Sequence, residues 1–424
     1  MSLGSCEAWA AFGTAAVWTT CLLAGELFST PVGIIAALFV GSSYWHLMIS
    51  RMGTRAVAAP FFFTLSLFLL LRGLKSQIVD RKTLGWLIAA GAAYGAGFHT
   101  YTAFRITPAI VGGLLLVHLW KARRNGTLKP AMERVAVFAV TALIVVAPLA
   151  WYFIQYPDNF AGRASQVSVF HRSSHPALEI AGNTWKTAMM FFVAGDTSWR
   201  HNIPGRPELY FPVAVLFALG IVIAVGKVWR RPQDVFPYGI VLAWLAVAAV
   251  PAILSGEGIP HALRSVLMIP AAAILAALGA LQSWRFLESR LPAPWPKVLA
   301  AAVVALIAWE PYNTYFEVRA RSPEIPGHYS MALVNLADRF NSMPRSVPRY
   351  PAVTSTGPSA NGIPVLAQPF TYLTRSYTRK QQDETNIHYI TPQNFPVRGG
   401  KKEFREDAIA AFPRSPVVCV NLSY

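Results

Sequence analysis

Charge is scarce in this chain. Of 424 residues only 13% are Asp, Glu, Lys or Arg, while 54% are hydrophobic and the mean hydropathy is +0.40. A soluble domain carries about 25% charged residues, so an ordinary solvated globule is excluded. Repeated long apolar runs point instead to a polytopic membrane protein. Cysteine is scarcer still, with only Cys6, Cys21 and Cys419. Two of these share one apolar run and the third lies in the tail, so no disulfide is expected. No CxxC, HExxH, Walker or GxGxxG pattern occurs, which leaves the common zinc and nucleotide motifs without support. The opening residues lack a basic n-region and turn apolar almost at once, so no cleavable signal peptide is expected.

What is abundant is apolar sequence in blocks. Ten runs read as spans, near 6–25, 31–49, 57–71, 85–100, 106–120, 135–153, 210–226, 236–254, 264–281 and 298–309. Several are shorter than the ~20 residues that a perpendicular helix needs. The net charge of +17 sits mainly in short loops and in the tail. No basic groove with interleaved aromatics accompanies it, so nucleic acid is not an expected partner. One set of alternate loops holds Arg72, Lys75, Arg81, Lys82, Lys121, Arg123, Arg124, Lys129, Arg134, Lys227, Arg230, Arg231, Arg285, Arg290 and Lys297. The short loops of the other set hold only Arg51, Arg55, Arg105 and Arg264. By the positive-inside rule the first set is cytoplasmic. The loop 154–209 and the tail are then outside.

The expected fold class is an all-α polytopic membrane protein with a small C-terminal α/β extracytoplasmic domain. The domains are 1–309, including outer loop 154–209, and 310–424. Within the loop, 176–194 suits a helix, lying at the interface or packed on the spans. In the tail, His328 to Met343 has helical spacing with Leu333, Leu336, Ala337 and Phe340 on one face. Short runs at Pro351–Ser355, Pro364–Ala367 and Val417–Leu422 suit strands.

The outer ends of the spans are rich in polar residues. Four stretches stand out: Tyr44 to Arg55 with His46, Ser50 and Arg51; His99 to Arg105 with Tyr101; Gly195 to Leu209 with Asp196, Arg200, His201 and Arg206; and Gly256 to Ser265 with Glu257, His261 and Arg264. Arginines with aromatics at one membrane face suit a lipid-linked phosphate, because a guanidinium presents a rigid fork of donors. Each of these residues also has a plain reading as an interfacial anchor or a satisfied span-end side chain. Transfer to a hydroxyl or amine needs a base for the acceptor proton and cations for the leaving phosphate. Outside the tail the outer carboxylates are Glu7, Asp158, Glu179, Asp196, Glu208 and Glu257. No tight His/Asp/Glu cluster calls for a metal, although outer carboxylates can hold an ion loosely.

On these four stretches, in their order and spacing over roughly 10–340, the chain resembles the bacterial family-39-type glycosyltransferases of the GT-C fold, relatives of protein O-mannosyltransferases and aminoarabinose transferases. The resemblance implies transfer of a sugar from a polyprenyl-phosphate donor to a glycan, lipid or protein acceptor, on the outer face of a bacterial plasma membrane. It implies that Arg264 and His261 contact the donor phosphate and that Arg51, Arg55, Tyr101 and Arg105 line or brace the cavity. Asp196 and Arg200 would shape its outer wall, and His46 and His201 join the substrate-binding candidates. No cofactor is firmly implied, and dependence on a divalent metal is left open.

The resemblance has one departure. Such transferases begin with one more helix, followed by an outer loop that carries the acidic base. This chain reads as beginning in the second helix, and the charge count places its N-terminus outside. Glu7 stands too near the start of a span to take that role. The expectation is a chain lacking the first helix and loop, with Asp196 and Glu257 as substitute catalytic carboxylates. Two alternatives stay open: a non-catalytic membrane remnant or assembly partner, and a lipid or solute transporter.

Overall fold

The computed structural model describes residues 3–76, 80–166, 168–230, 235–353, 359–391 and 417–420. It forms two compact units, Met1–Arg321 and Ser322–Tyr424.

The first unit is helical. Its elements are α1 (Leu3–Leu27), α2 (Thr30–Gly41), α3 (Tyr44–Arg51), α4 (Ala58–Lys75), α5 (Arg81–Gly97), α6 (Thr107–Arg124), α7 (Leu128–Gln155), α8 (Pro157–Gln166), α9 (Val169–Arg172), α10 (Pro176–Met189), α11 (Phe211–Arg230), α12 (Val235–Ile253), α13 (Met268–Arg290) and α14 (Trp295–Tyr312). A π-helical turn, Asn313–Arg319, continues α14. Seven helical stretches among the described residues are long and apolar enough to cross a membrane, or eight when the pair α2 and α3, bent by 58°, counts as one span. All ten runs expected as spans are helical, but two miss this standard: α5 has only 17 residues, and α14 carries Lys297 and Glu310 within its 18. At 1.5 Å per residue α5 reaches about 26 Å, short of a hydrocarbon core of about 30 Å. The chain is a multi-pass membrane protein.

Local signals set the helix starts. Asp80 caps α5 by accepting from the Thr83 N–H at 2.8 Å, and Ser43 caps α3 by accepting from the His46 N–H at 3.3 Å. Both satisfy backbone donors that a first turn leaves open. The interior is close-packed around large rings. Phe63 meets Trp244 edge-on at 5.0 Å, and the Trp244 Nε1–H donates to the Leu267 carbonyl at 2.9 Å. Glycines let two backbones touch: a Cβ on Gly220 of α11 would collide with the Leu275 carbonyl of α13, and one on Gly279 of α13 with the Leu216 carbonyl of α11. At the far ends of α1 and α4, Glu26 bridges Arg72 and Lys75, each at 2.5 Å.

The second unit holds α15 (Ile325–His328), α16 (Met331–Ser342), β1 (Tyr350–Val353), β2 (Ser359–Ala360), β3 (Ile363–Pro364), α17 (Gln368–Leu373), α18 (Arg379–Thr385) and β4 (Val417–Val420). Leu333, Ala337 and Phe340 of α16 are buried against Phe370 and Ile387, the face that helical spacing predicts. β1 pairs with β4 in parallel, in the register Tyr350 with Val417. The expected strand at Pro364–Ala367 is mostly a 3-10 turn, Val365–Ala367, because Ile363–Pro364 pairs for only two residues before the chain turns into α17. Residues 354–355 and 421–422 of the other expected strands lie outside the described residues.

Candidate functional site

The stretch 195–209 follows α10 and closes on itself. The Glu208 N–H donates to the Met190 carbonyl at 2.8 Å, so the loop leaves and returns at one point. Inside it, Asp196 Oδ1 accepts from the Ser198 N–H at 2.8 Å, an Asx-type turn. The His201 and Asn202 N–H groups both donate to the Ser198 carbonyl at 2.9 Å. Gly205 takes a left-handed φ of +78°, where glycine carries no steric penalty. These turns bring His201 back over Asp196, five positions earlier.

The link between α12 and α13 is pinned from three sides. The Asn183 amide donates to the Ile253 and Ser255 carbonyls at 3.0 and 2.9 Å. The Trp45 Nε1–H donates to the Ala262 carbonyl at 3.1 Å, and the Ala262 N–H donates to Asp196 Oδ2 at 2.9 Å. Asp196 thus sits 3% exposed, facing His201 Nδ1 at 3.1 Å and His261 Nδ1 at 3.6 Å. The two imidazoles lie 4.8 Å apart between centroids.

Burial pushes the Asp196 carboxyl up, but the hydrogen bond and charge of His201, the charge of His261 and the Ser198 N–H outweigh it, leaving it below the usual carboxylate range. Burial lowers His261 to about 4, against the pull of Asp196, so its ring is neutral at neutral pH. Ligand atoms of Asp196, His201 and His261 fall within 4.8 Å of one another, which is a spacing that can hold a metal ion. Three donors and an open position are the pattern of catalytic zinc. The sequence pattern did not announce this cluster, because Asp196 and His201 are separated from His261 by two helices.

Of the other expected site residues, Arg264 lies on the same link as His261. It donates to Ser255 Oγ and, at 2.9 Å, to the Glu257 carbonyl, with its charge 3.4 Å from Glu257 Oε1. The Glu257 side chain is 44% exposed, unlike the enclosed Asp196. Arg200 is exposed and Tyr101 half-buried. Arg55 is exposed at the start of a 3-10 turn, Arg55–Val57. The remaining three are His46, Arg51 and Arg105. His46 is buried, with Nε2 3.0 Å from the Gly13 carbonyl. The Arg51 guanidinium stands 5.7 and 5.4 Å from the Tyr315 and Phe316 rings. Arg105 donates to the Phe160 carbonyl at 2.7 Å and stacks over Phe153 and Phe160.

Two carboxylates gain importance that no local pattern signals. Glu208 is 1% exposed. Its Oε1 accepts from the Asp196 N–H at 3.0 Å and from the Asn202 amide at 3.3 Å. Burial, aided by the Asp196 charge and opposed by that N–H and by Arg206, pushes its carboxyl up to about 8. Glu310, at the end of α14, pairs with Arg206, whose guanidinium stacks 4.5 Å from the Tyr44 ring. Tyr44, Glu208 and Glu310 line one small cavity.

No protein-family model matches the chain, and no curated protein matches it. Among solved structures it is similar to ArnT from Cupriavidus metallidurans bound to undecaprenyl phosphate, with 15% identity and a TM-score of 0.47 over 92% of this chain and 76% of that one. It is similar to the apo oligosaccharyltransferase of Archaeoglobus fulgidus, with 13% identity and a TM-score of 0.46 over 89% of this chain and 57% of that one. The chain thus spans little more than half the length of that oligosaccharyltransferase. These neighbours are GT-C glycosyltransferases. At such identities and scores the likeness assigns neither activity nor donor to this chain.

Proposed function

We propose that the protein is a membrane glycosyltransferase that moves a sugar from a polyprenyl-phosphate donor to an acceptor on the outer face of a bacterial plasma membrane. The observation that carries this reading is the convergence of Asp196, His201 and His261 at one point, with Arg264 three residues beyond His261. Asp196 has both oxygens engaged and little exposure. It therefore acts best as the group that orients an imidazole. When the His201 Nδ1–H donates to Asp196, Nε2 is left as the acceptor for a proton from the incoming hydroxyl or amine. Electron density from that oxygen or nitrogen then forms the new bond to the anomeric carbon as the bond to the donor phosphate oxygen breaks. The leaving phosphate gathers negative charge, which the Arg264 guanidinium can take up by exchanging its Glu257 contact for phosphate oxygens.

Asp196, His201 and His261 also fit a divalent cation. The two imidazole Nδ1 atoms face Asp196 Oδ2 and a neutral His261 offers a lone pair, so a cation there would take the place of the His201–Asp196 hydrogen bond. A bound cation would supply charge neutralisation for the phosphate.

The test is transfer from a radiolabelled polyprenyl-phosphate sugar, by protein reconstituted in liposomes, to a panel of acceptors. Arg264→Ala is expected to abolish transfer while the protein still inserts and runs as a single species. Transfer near the parent level in that variant sinks the assigned role.

A further inference from the structure

One buried group holds the loop that carries the proposed site, and that site does not use it. The Glu208 carboxyl meets the beginning of the loop through the Asp196 N–H and its middle through the Asn202 amide, while its own N–H ties the loop's end to Met190. The Asn202 amide also donates to the Arg206 carbonyl at 2.5 Å. Gly195 closes the opposite side. A Cβ there would collide with the Arg206 carbonyl, and would stand 2.7 Å from Glu208 Oε1 and 2.8 Å from Asn202 Nδ2. The other carboxyl oxygen, Oε2, is buried without a hydrogen-bond partner among the described residues, as is the Tyr44 hydroxyl on the same cavity.

We infer that Glu208 is a positioning residue: through one oxygen shared by Asp196 and Asn202 it clamps the loop 195–208 and so sets the aim of the Asp196–His201 pair. A buried acceptor that satisfies two donors is expensive to remove: the Asp196 N–H is then stranded, and the Asn202 amide is left with the Arg206 carbonyl alone. The clamp acts on backbone, so its loss moves Asp196 as a whole. A misplacement of about 1 Å is enough to cost on the order of 100-fold in rate. The catalytic consequence rests on the transferase reading, whereas the clamp itself does not.

The experiment pairs amide hydrogen exchange with kinetics on the full chain in lipid nanodiscs. Glu208→Gln keeps Oε1 and its two donors and should retain protection across 195–208. Glu208→Ala and Gly195→Ala should both lose protection there while α11 and α13 stay protected. Where transfer is measurable, Glu208→Ala should lower kcat by about 100-fold with KM for the donor unchanged, and Glu208→Gln should restore it. The inference is overturned if Glu208→Ala keeps the loop protected, if Glu208→Gln loosens it as much as Glu208→Ala, or if the kinetic loss lies in KM alone. Should Glu208→Ala fail to fold, Glu208→Gln against Gly195→Ala decides by the same readout. If the parent transfers no sugar, the transferase reading fails and the exchange pattern still decides the clamp.

Discussion

The indole of Trp45 donates to the carbonyl of Ala262 at 3.1 Å, across 217 positions of sequence. Ala262 in turn donates its N–H to Asp196. One small residue therefore relays between the start of α3 and the candidate site, with Trp45 fully buried.

Trp45→Phe keeps an aromatic ring but removes the donor together with part of the buried indole, so a cavity cost adds to the lost hydrogen bond. The Ala262 carbonyl is then buried without a partner, at a cost of about 1–3 kcal/mol. Thermal unfolding in detergent should show the loss, and transfer should fall with it, because the residue that carries this carbonyl also holds Asp196.

Asp196→Asn removes the charge and exchanges one acceptor for a donor where three nitrogens converge. Transfer should drop by about 10²- to 10⁴-fold, the usual worth of general acid–base groups, in protein that remains monodisperse. Glu257→Gln should change little. The Glu257 side chain is 44% exposed, and ion pairs open to solvent contribute about 1 kcal/mol or less. Equal losses in the two variants would contradict the orienting role given to Asp196.

Metal-stripped protein should bind Co²⁺ in roughly one equivalent per chain, with the visible absorption of a low-coordinate histidine–carboxylate site. His201→Ala and His261→Ala should each abolish that spectrum. An unchanged spectrum in both would place the ion elsewhere, and no uptake by the parent would leave the cluster as an Asp–His relay.

The pH dependence of stability carries a sign that Glu208 fixes. Its carboxyl is raised from 4.5 to about 8, so the folded state binds more protons than the unfolded state between those values. Its contribution is fully present below pH 4.5 and is lost as pH rises through about 8. Thermal unfolding of the parent relative to Glu208→Gln, with chelator present throughout, should decline across that window. A flat or rising difference would show that Glu208 is ionised in the folded chain.

Much of the fold is legible in the sequence because bilayer-spanning helices announce themselves by composition alone. The bend between α2 and α3 is less so: Ser42 and Ser43 sit inside one apolar run, yet Ser43 caps a new helix there. The site divides in the same way. Asp196, His201, His261 and Arg264 stand in turn-rich polar stretches at span ends, and the structure gathers them. Glu208 was one acidic residue among several outer ones, and its burial depends on where α10 ends and Asn202 turns. Glu310 falls beyond the last apolar run and reads as tail. It joins the first unit because the helix persists through Tyr312, bringing it to Arg206. Pairings over a hundred positions leave no periodic trace, and the contact of Arg51 with the Tyr315 and Phe316 rings is another of that kind.

The glycine contacts between α11 and α13 have a mechanical consequence. Loop 195–209 runs straight into α11, and link 255–267 runs straight into α13. The two halves of the candidate site therefore spring from adjoining knuckles of one stiff hand, where carbonyls abut glycines and leave no room for sliding. The gap between Asp196 and His261 is a property of the scaffold, set before any substrate arrives.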